Sequence, residues 1–212
     1  MGEFPIDELP LARRLALSYA PARVRAQVLA LLALDERLAQ AVSAASEPML
    51  AQIKLAWWRE RLQEGPEHWP EGEPLLSHLG SWPGLPAQLL PMVDGWECLL
   101  ADGLSDAVLR DYAEGRASAW RSIGPAEQAE AVMHSARDWA LADLALHLGN
   151  ESEGKRVREM IGQEKVSRLP KELRSLAVLH GLTRRALAKG SVELLDGPAA
   201  GLVALRIGLM GR

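Results

Sequence analysis

The chain contains little cysteine and few of the residues that build β-strands. Its one cysteine, Cys98, excludes an internal disulfide and fits a reducing compartment. The aromatic residues are seven Trp, two Tyr and a single Phe. Aromatic and β-branched side chains favour strands, whereas Ala and Leu, which dominate here, favour helices. The composition therefore predicts an all-α protein.

The sequence also lacks a membrane-spanning run, a secretory signal and a basic block. Residues 1–8 are acidic and have no apolar core segment. The longest uncharged apolar run of the N-terminal half, residues 26–34, falls far short of the roughly 20 residues that cross a bilayer. The 24 basic and 28 acidic residues are interspersed, which gives nucleic-acid binding no electrostatic support. We expect a cytoplasmic protein, soluble or at most peripheral to the inner membrane.

Apolar residues recur at helical spacing along most of the chain. Pro48 suits a first helical turn, and Ser105 suits an N-cap. The predicted helices cover residues 9–18, 21–42, 48 through at least 57, 89–100, 105–120, 126–148, 170–187 and 199–210. Residues 65–86 contain five prolines and are predicted to form a loop-rich connection, in which Leu75, Leu76 and Leu79 could form one or two helical turns. Residues 150–166 are polar with few apolar anchors. At 212 residues, the chain suits one helix bundle spanning 1–212.

Asp35 lies within the apolar stripe of its predicted helix. An unpaired carboxylate there would be costly, so it requires a cation, a metal ion or protonation. One interpretation makes it a ligand in an acidic cavity. The other makes it half of an internal ion pair, which is the simpler interpretation because structural pairs also perturb carboxylates. The arginines considered as partners are Arg14, Arg25 and Arg37.

Asp143 and His147 are spaced i, i+4 and follow Trp139 on the inner face of one predicted helix. A carboxylate at this spacing can orient an imidazole or share a metal ion with it. Two residues alone do not make a metal site, and the simpler interpretation is a hydrogen-bonded pair or a histidine at the helix end.

The segment Trp57-Trp58-Arg59 carries two indoles that point in different directions, since consecutive helical positions differ by about 100°. Trp57 shares the face of Ile53 and is predicted either to line a tunnel for an apolar ligand or to pack in the core. Lys54 and Arg59 are candidates to bind a diphosphate or an anionic lipid. Beside acidic neighbours, they also fit an ordinary solvated helix face.

Three groups of segments together resemble the squalene/phytoene synthase family, in the family's order. They are LDERLAQAV (34–42) with EPML (47–50) and LAWWR (55–59); MVDGW (92–96) with LRDYAEG (109–115); and WALADL (139–144) with LPKELRSLAVL (169–179). The Trp-Trp-Arg segment is the most specific of these. The resemblance implies a shortened isoprenoid synthase fold, a helix bundle around a central cavity. Active members join two prenyl diphosphates head to head, using Mg²⁺ held by two Asp-rich motifs.

The sequence departs from the family pattern at both motifs. Ala39, Gln40 and Ser43 stand where the first motif needs carboxylates, and residues 146–150 (LHLGN) stand where the second is expected. Ionisation of an allylic diphosphate needs a metal clamp on the leaving group. The resemblance therefore implies a non-catalytic relative with no cofactor, which binds a protein partner, an isoprenoid lipid or a prenyl diphosphate. In this it is similar to a mitochondrial member of the family that assists assembly of respiratory complex I.

Two alternatives remain open at this point. One is an active, Mg²⁺-dependent prenyl transferase of isoprenoid, carotenoid or hopanoid biosynthesis, with rearranged ligands Asp35, Glu36 and Asp143. Carboxylates close enough to share a metal ion would support it, and arginine pairs would count against it. The other is a helical interaction module without a cavity. It predicts that large side chains fill the bundle centre, namely Trp57, Trp96 and Trp139.

Overall fold

Regular secondary structure is entirely helical in the part of the chain that the structure describes. The structure is a computed structural model, and it describes residues 6–45, 47–80, 82, 84, 86–162 and 168–211. The α-helices of these ranges are α1 (Leu11–Ser18), α2 (Ala22–Ser43), α3 (Pro48–Gln63), α4 (Pro74–Leu79), α5 (Leu90–Cys98), α6 (Asp106–Arg121), α7 (Ala129–His147), α8 (Glu151–Met160), α9 (Arg174–Lys189) and α10 (Pro198–Met210). The all-α prediction is confirmed. Within the described ranges, every helix is too short or too polar to cross a membrane.

The predicted helix starts are confirmed at α3 and α6 and corrected at α8. Pro48 occupies the first turn of α3, and the Ser105 hydroxyl accepts a hydrogen bond from the Val108 amide at 3.2 Å. Asn150, which follows the predicted helix over 126–148, caps α8 by accepting bonds from the amides of Ser152 and Glu153. Residues 151–160 form a helix that buries very little, so no apolar stripe revealed it. Residues 163–166 of that polar segment lie outside the described residues.

The proline-rich connection, residues 65–86, contributes to the core. It contains α4, whose residues Leu75, Leu76 and Leu79 are buried, and α4 packs against α2. Trp82 beyond it is also buried, while Pro83 lies outside the described residues. The helical turns predicted at these leucines are therefore present as α4, which burial of the leucines stabilises.

The buried face of α3 is not the predicted one. Trp58 is buried together with Leu55 on the inner face, whereas Ile53 is exposed and Trp57 is half-buried. The prediction that Trp57 and Ile53 share the inner face is wrong. The helix carries two apolar stripes, and helical spacing alone does not decide which of them faces the interior.

Helix α2 is the centre of the bundle. It contacts α1, α3, α4, α5 and α6, and it buries side chains along most of its length. The remaining helices pack in succession, α5 on α6, α6 on α7, α7 on α9 and α9 on α10. Side chains from α1, α2, α5, α6 and α7 can therefore meet inside one bundle.

Two glycines bring α5 and α6 unusually close. A Cβ atom on Gly115 would lie 2.8 Å from the Gly95 Cα and would overlap the Pro91 carbonyl oxygen. Both obstacles are backbone atoms, which cannot move aside as a flexible side chain can. The contact brings Trp96 and Tyr112 into an edge-to-face pair with ring centroids 5.2 Å apart. Gly95 and Gly115 belong to the segments 92–96 and 109–115, the second of the three groups of segments described in the sequence analysis.

We expect Gly115→Ala to lower the free energy of unfolding by about 3 kcal/mol or more, because the added methyl group forces the two backbones apart. Gly201→Ala is the matched control, since a Cβ there meets no atom within 4 Å. That change should raise the stability by about 0.5–1 kcal/mol through helix propensity. Chemical denaturation measures both, and equal effects of the two substitutions would contradict the close contact.

Candidate functional site

Four buried charged side chains from α1, α2, α6 and α7 meet inside the bundle. They are Arg13, Asp35, Arg116 and Asp143, here called the central charge cluster. Arg116 donates two hydrogen bonds to Asp35, from Nε to Oδ1 at 2.9 Å and from Nη2 to Oδ2 at 2.6 Å. The Nη1 of Arg13 lies 2.9 Å from the same Oδ2. Asp35 is thus held by two guanidinium groups and is fully buried.

Trp96 completes the surroundings of Asp35 by donating its indole N–H to Oδ1 at 2.9 Å. Burial alone would raise the pKa of the Asp35 carboxyl. The charges of Arg116 and Arg13, with the hydrogen bonds from Arg116 and Trp96, outweigh burial and hold this pKa below its ordinary value. Asp35 is therefore an anion whose two oxygens already accept bonds from protein donors.

Arg116 bridges the two aspartates of the cluster. Its Nη2 also donates to Asp143 Oδ2 at 3.1 Å, and its Nη1 donates to the Tyr112 hydroxyl at 2.7 Å. The guanidinium lies 4.3 Å from the ring centroid of Trp139 and 5.0 Å from that of Trp96, which adds cation–π attraction. Burial lowers the pKa of Arg116, but Asp35, Tyr112 and Asp143 together raise it well above its ordinary value. Arg116 is thus a permanent cation.

A cavity of about 500 Å³ adjoins the central charge cluster. Its polar wall includes Arg13, Glu36, Tyr112, Asp143 and Glu153. Its apolar wall includes Ala12, Ala39, Val42, Leu104, Leu144 and Leu194. Burial raises the pKa of the Tyr112 hydroxyl, so this group stays protonated. The cavity therefore combines an apolar wall with a polar end that carries three carboxylates and one guanidinium.

The residues that stand at the first motif form part of this cavity wall. Ala39, Gln40 and Ser43 line it from α2, and Asp143 and His147 line it from α7. Both motif segments thus face the same space across the bundle. The presence of this space argues against a completely filled centre. Of the three tryptophans expected to fill it, Trp96 and Trp139 surround Arg116, and Trp57 lies outside, half-buried on α3.

Asp143 and His147 do not form the predicted carboxylate–imidazole pair. His147 places its Nδ1 2.7 Å from the backbone carbonyl oxygen of Asp143 and 4.0 Å from its carboxylate. The Asp143 carboxylate is turned inward to Arg116, and the His147 side chain is largely exposed. His147 is the last residue of α7, so the structure agrees with the alternative prediction of a histidine at the helix end. The Asp143 carboxylate accepts a charge-assisted bond from the buried guanidinium of Arg116 instead.

The partners predicted for Asp35 were also wrong. Arg14 pairs with Asp7 and Arg37 pairs with Glu8, while Arg25 donates to backbone carbonyls at the corner between α1 and α2. The true partners are Arg13 and Arg116. Arg116 could have been found by the same signal as Asp35, because it too is a charge within the apolar stripe of its helix.

Lys54, Trp57 and Arg59 do not line the cavity. Arg59 forms an ion pair across to α5, with Asp94 at 2.7 Å and Glu97 at 2.5 Å. Trp57 packs edge-on against Trp58, and Lys54 is exposed. The ligand-binding role of these three residues stays a prediction. Any ligand that they bind would lie on the surface of α3 and not in the cavity.

The residues present do not fit a Mg²⁺ ion that would clamp a diphosphate. The Asp35 oxygens are engaged by Arg13, Arg116 and Trp96, and Asp143 shares Arg116. Glu36 accepts a bond from Gln40 at 3.1 Å. Within the described ranges, no group of three or more His, Cys, Asp or Glu side chains is placed to hold a metal ion. A metal ion would have to displace a buried guanidinium to reach these carboxylates.

The central charge cluster and most of the cavity wall fall within a segment that matches a known family. The model for squalene/phytoene synthase matches residues 12–149, which are 138 of the 212 residues. The match ends before α8, so α8, α9 and α10 lie outside it. No curated protein and no solved structure matches the chain.

We expect Arg116→Met to lower the free energy of unfolding by about 3–5 kcal/mol, because it leaves Asp35 buried without its main partner. The matched control is Arg59→Met. It breaks a partly exposed ion pair and should cost about 1 kcal/mol or less. Denaturant titration of both variants gives the comparison. A loss at Arg116 no larger than that at Arg59 would show that the buried pair contributes little.

The double variant Asp35→Leu with Arg116→Met should recover part of the lost stability, because no buried charge then stands alone. It should also change the response to acid. Since the folded pKa of Asp35 lies below its ordinary value of 3.8, its contribution is present above about pH 4 and is lost as the pH falls through the folded pKa. The double variant should lack this part of the acid dependence when unfolding is followed between pH 5 and pH 2.

Proposed function

The chain belongs to the squalene/phytoene synthase family, and on that basis we propose that it binds an isoprenoid or similar apolar lipid without ionising a diphosphate. Its all-α bundle is of the isoprenoid synthase type that membership implies. The observation that carries the proposal is the position of Arg116, between the buried carboxylates of Asp35 and Asp143. The protein keeps the cavity and neutralises its carboxylates with its own arginines.

The charges of the cluster support the loss of catalysis. Ionisation of an allylic diphosphate needs metal ions that hold the leaving group, and carboxylates must be available to hold the metal. Here Arg116 satisfies Asp35 and Asp143 together, and its raised pKa means that no accessible pH releases them. Glu36, the third proposed ligand, is also paired with a buried arginine, since its Oε2 lies 3.5 Å from Arg13 Nη1. A single carboxylate would not by itself hold a catalytic metal ion.

The cavity wall indicates the class of ligand. Its volume of about 500 Å³ falls in the usual range for small-molecule sites, about 300–1,000 Å³. The two arginines of the central charge cluster balance its two aspartates. Glu36 and Glu153 add two further carboxylates to the polar end, which leaves it with an excess of negative charge. A metal-free diphosphate would be repelled there, whereas a hydroxyl group could hydrogen-bond to Tyr112 or Glu36. A neutral isoprenoid with a small polar head fits these surroundings better.

Isothermal titration of the purified protein with farnesol and with farnesyl diphosphate, each with and without Mg²⁺, tests the proposal. We expect farnesol to bind independently of Mg²⁺ and the diphosphate to bind more weakly. Ala39→Trp fills the cavity from α2 and should reduce farnesol affinity by about tenfold or more. Ala26→Trp, at an exposed position of the same helix outside the cavity wall, is the matched control and should leave it unchanged.

The same titration distinguishes the enzyme alternative, a Mg²⁺-dependent prenyl transferase that joins prenyl diphosphates. Tight binding of farnesyl diphosphate only with Mg²⁺, or its conversion to a coupled product, would overturn the non-catalytic proposal. Absence of binding for both compounds would overturn the ligand-binding proposal itself.

The outer face of α3 favours a second candidate function, an assembly or scaffold factor. Leu50 and Ile53 are 45% and 60% exposed, and Met49 lies beside them. Exposed apolar patches of this kind mark protein contacts. The analogy is with the mitochondrial family member that assists complex I assembly, a likeness that extends to the loss of the acidic motifs.

We expect Leu50→Gln with Ile53→Gln to remove such a partner while leaving farnesol binding and stability unchanged, because both side chains point to solvent. Affinity capture from the native host, compared between this variant and the unaltered protein, is the measurement. A partner profile identical in the two proteins would count against a scaffold role for this face.

A further inference from the structure

Helix α10 presents an apolar face to solvent. Leu202 and Leu209 are each 67% exposed, and Leu205 and Met210 are also exposed between and beyond them. The opposite face, with Ala200, Ala204 and Ile207, is buried. Packing inside the protein therefore explains one side of α10 and leaves the leucine side largely exposed to solvent. A row of exposed leucines on one helix is typical of an interaction surface.

The segment that contains α9 and α10 is rich in cations, of which Arg184 is paired with Asp138 and Lys189 with Asp196. Residues 168–211 contain seven Lys and Arg against three Asp and Glu, a net charge of +4 in a chain whose net charge is −4. Arg206 is the sole charge within α10, and it lies on the exposed side between Leu202 and Leu209. The leucine face is therefore uninterrupted by any carboxylate of its own helix.

Further cations lie at the C-terminal end of α10. Helices α9 and α10 form an antiparallel hairpin, because Gly181 lies against Ile207 and Arg174 lies against Gly211. This arrangement brings the segment before α9 to the C-terminal end of α10. Burial lowers the pKa of Arg174, and the nearby charge of Arg168 lowers this pKa further. The C-terminal end of α10 is thus bordered by Arg168 and Arg174. The carboxylate of Glu172 beside them is already paired with Arg23.

We propose that α10 lies in the plane of an anionic membrane surface, with its leucines inserted and Arg206 among the headgroup phosphates. An apolar helix face flanked by basic residues is the usual form of such a contact. At 13 residues, α10 is shorter than the roughly 20 residues that span a bilayer, so it would rest along the interface. A second copy of this protein is a less suitable partner for the leucine face of α10. Pairing two such faces would bring the basic residues around each of them close together, and like charges repel.

Vesicle flotation tests this surface, with vesicles of phosphatidylcholine alone and of equimolar phosphatidylcholine and phosphatidylglycerol. We expect the protein to bind the mixed vesicles more strongly. Leu202→Gln with Leu209→Gln should lower the partition coefficient by about tenfold or more, because apolar area drives insertion. Arg206→Gln should lower binding to the mixed vesicles by about fivefold and have little effect on neutral ones.

The matched control is the double variant Leu50→Gln with Ile53→Gln on α3, which removes two equally apolar exposed side chains and should leave vesicle binding unchanged. The inference would be overturned if the unaltered protein bound neither vesicle, if the α10 variant bound normally, or if the α3 variant lost binding equally. A dimer in solution that dissociates on substitution of Leu202 and Leu209, without vesicle binding, would assign the face to a second copy. Farnesol titration of the α10 variant separates this test from the proposed function, because the cavity should be unaffected.

Discussion

Asp35 and Arg116 are both fully buried, and each needs the other in order to remain so. Two parallel hydrogen bonds between them join α2, the centre of the bundle, to α6. Both bonds can form only when the guanidinium and the carboxylate face each other in one orientation. A helix register shifted by one residue would rotate either group away from its partner by about 100° and leave a charge unpaired in the interior. The close contact of Gly95 with Gly115 places α5 so that Trp96 reaches the same carboxylate. The pair therefore constrains the placement of several helices at once.

The same pair determines what chemistry the interior can support. In a metal-dependent bundle, inward carboxylates are held apart by their mutual repulsion until cations bind between them. In this protein, a guanidinium built into α6 already occupies the place between Asp35 and Asp143. It cannot dissociate, and its raised pKa keeps it charged. Under the proposed non-catalytic function, this covalently attached cation stands where an exchangeable metal ion would otherwise bind.

The sequence predicted the parts of this structure that depend on local spacing. Helical period, together with Ser105 and Pro48, located most of the helices. The need of Asp35 for a cation followed from its place in an apolar stripe, but the identity of that cation did not. Arg116 is 81 residues away, and no local pattern reports which distant helix packs against α2. The same limit applies to α3, where two apolar stripes compete and packing with neighbouring helices chooses the one with Trp58.

The position of the cavity relative to α10 bears on how an apolar ligand would reach it. An isoprenoid is scarcely soluble in water, so its concentration near a cavity depends on how close that cavity lies to a membrane. Leu194 forms part of the cavity wall, and α10 begins at Pro198, a few residues further along the chain. A membrane-bound α10 would therefore hold one wall of the cavity near the lipid phase. The central charge cluster lies within the segment that matches the family, whereas the hairpin of α9 and α10 lies outside it. Entry of an apolar ligand from the membrane would therefore depend on a part of the chain that the family match does not cover.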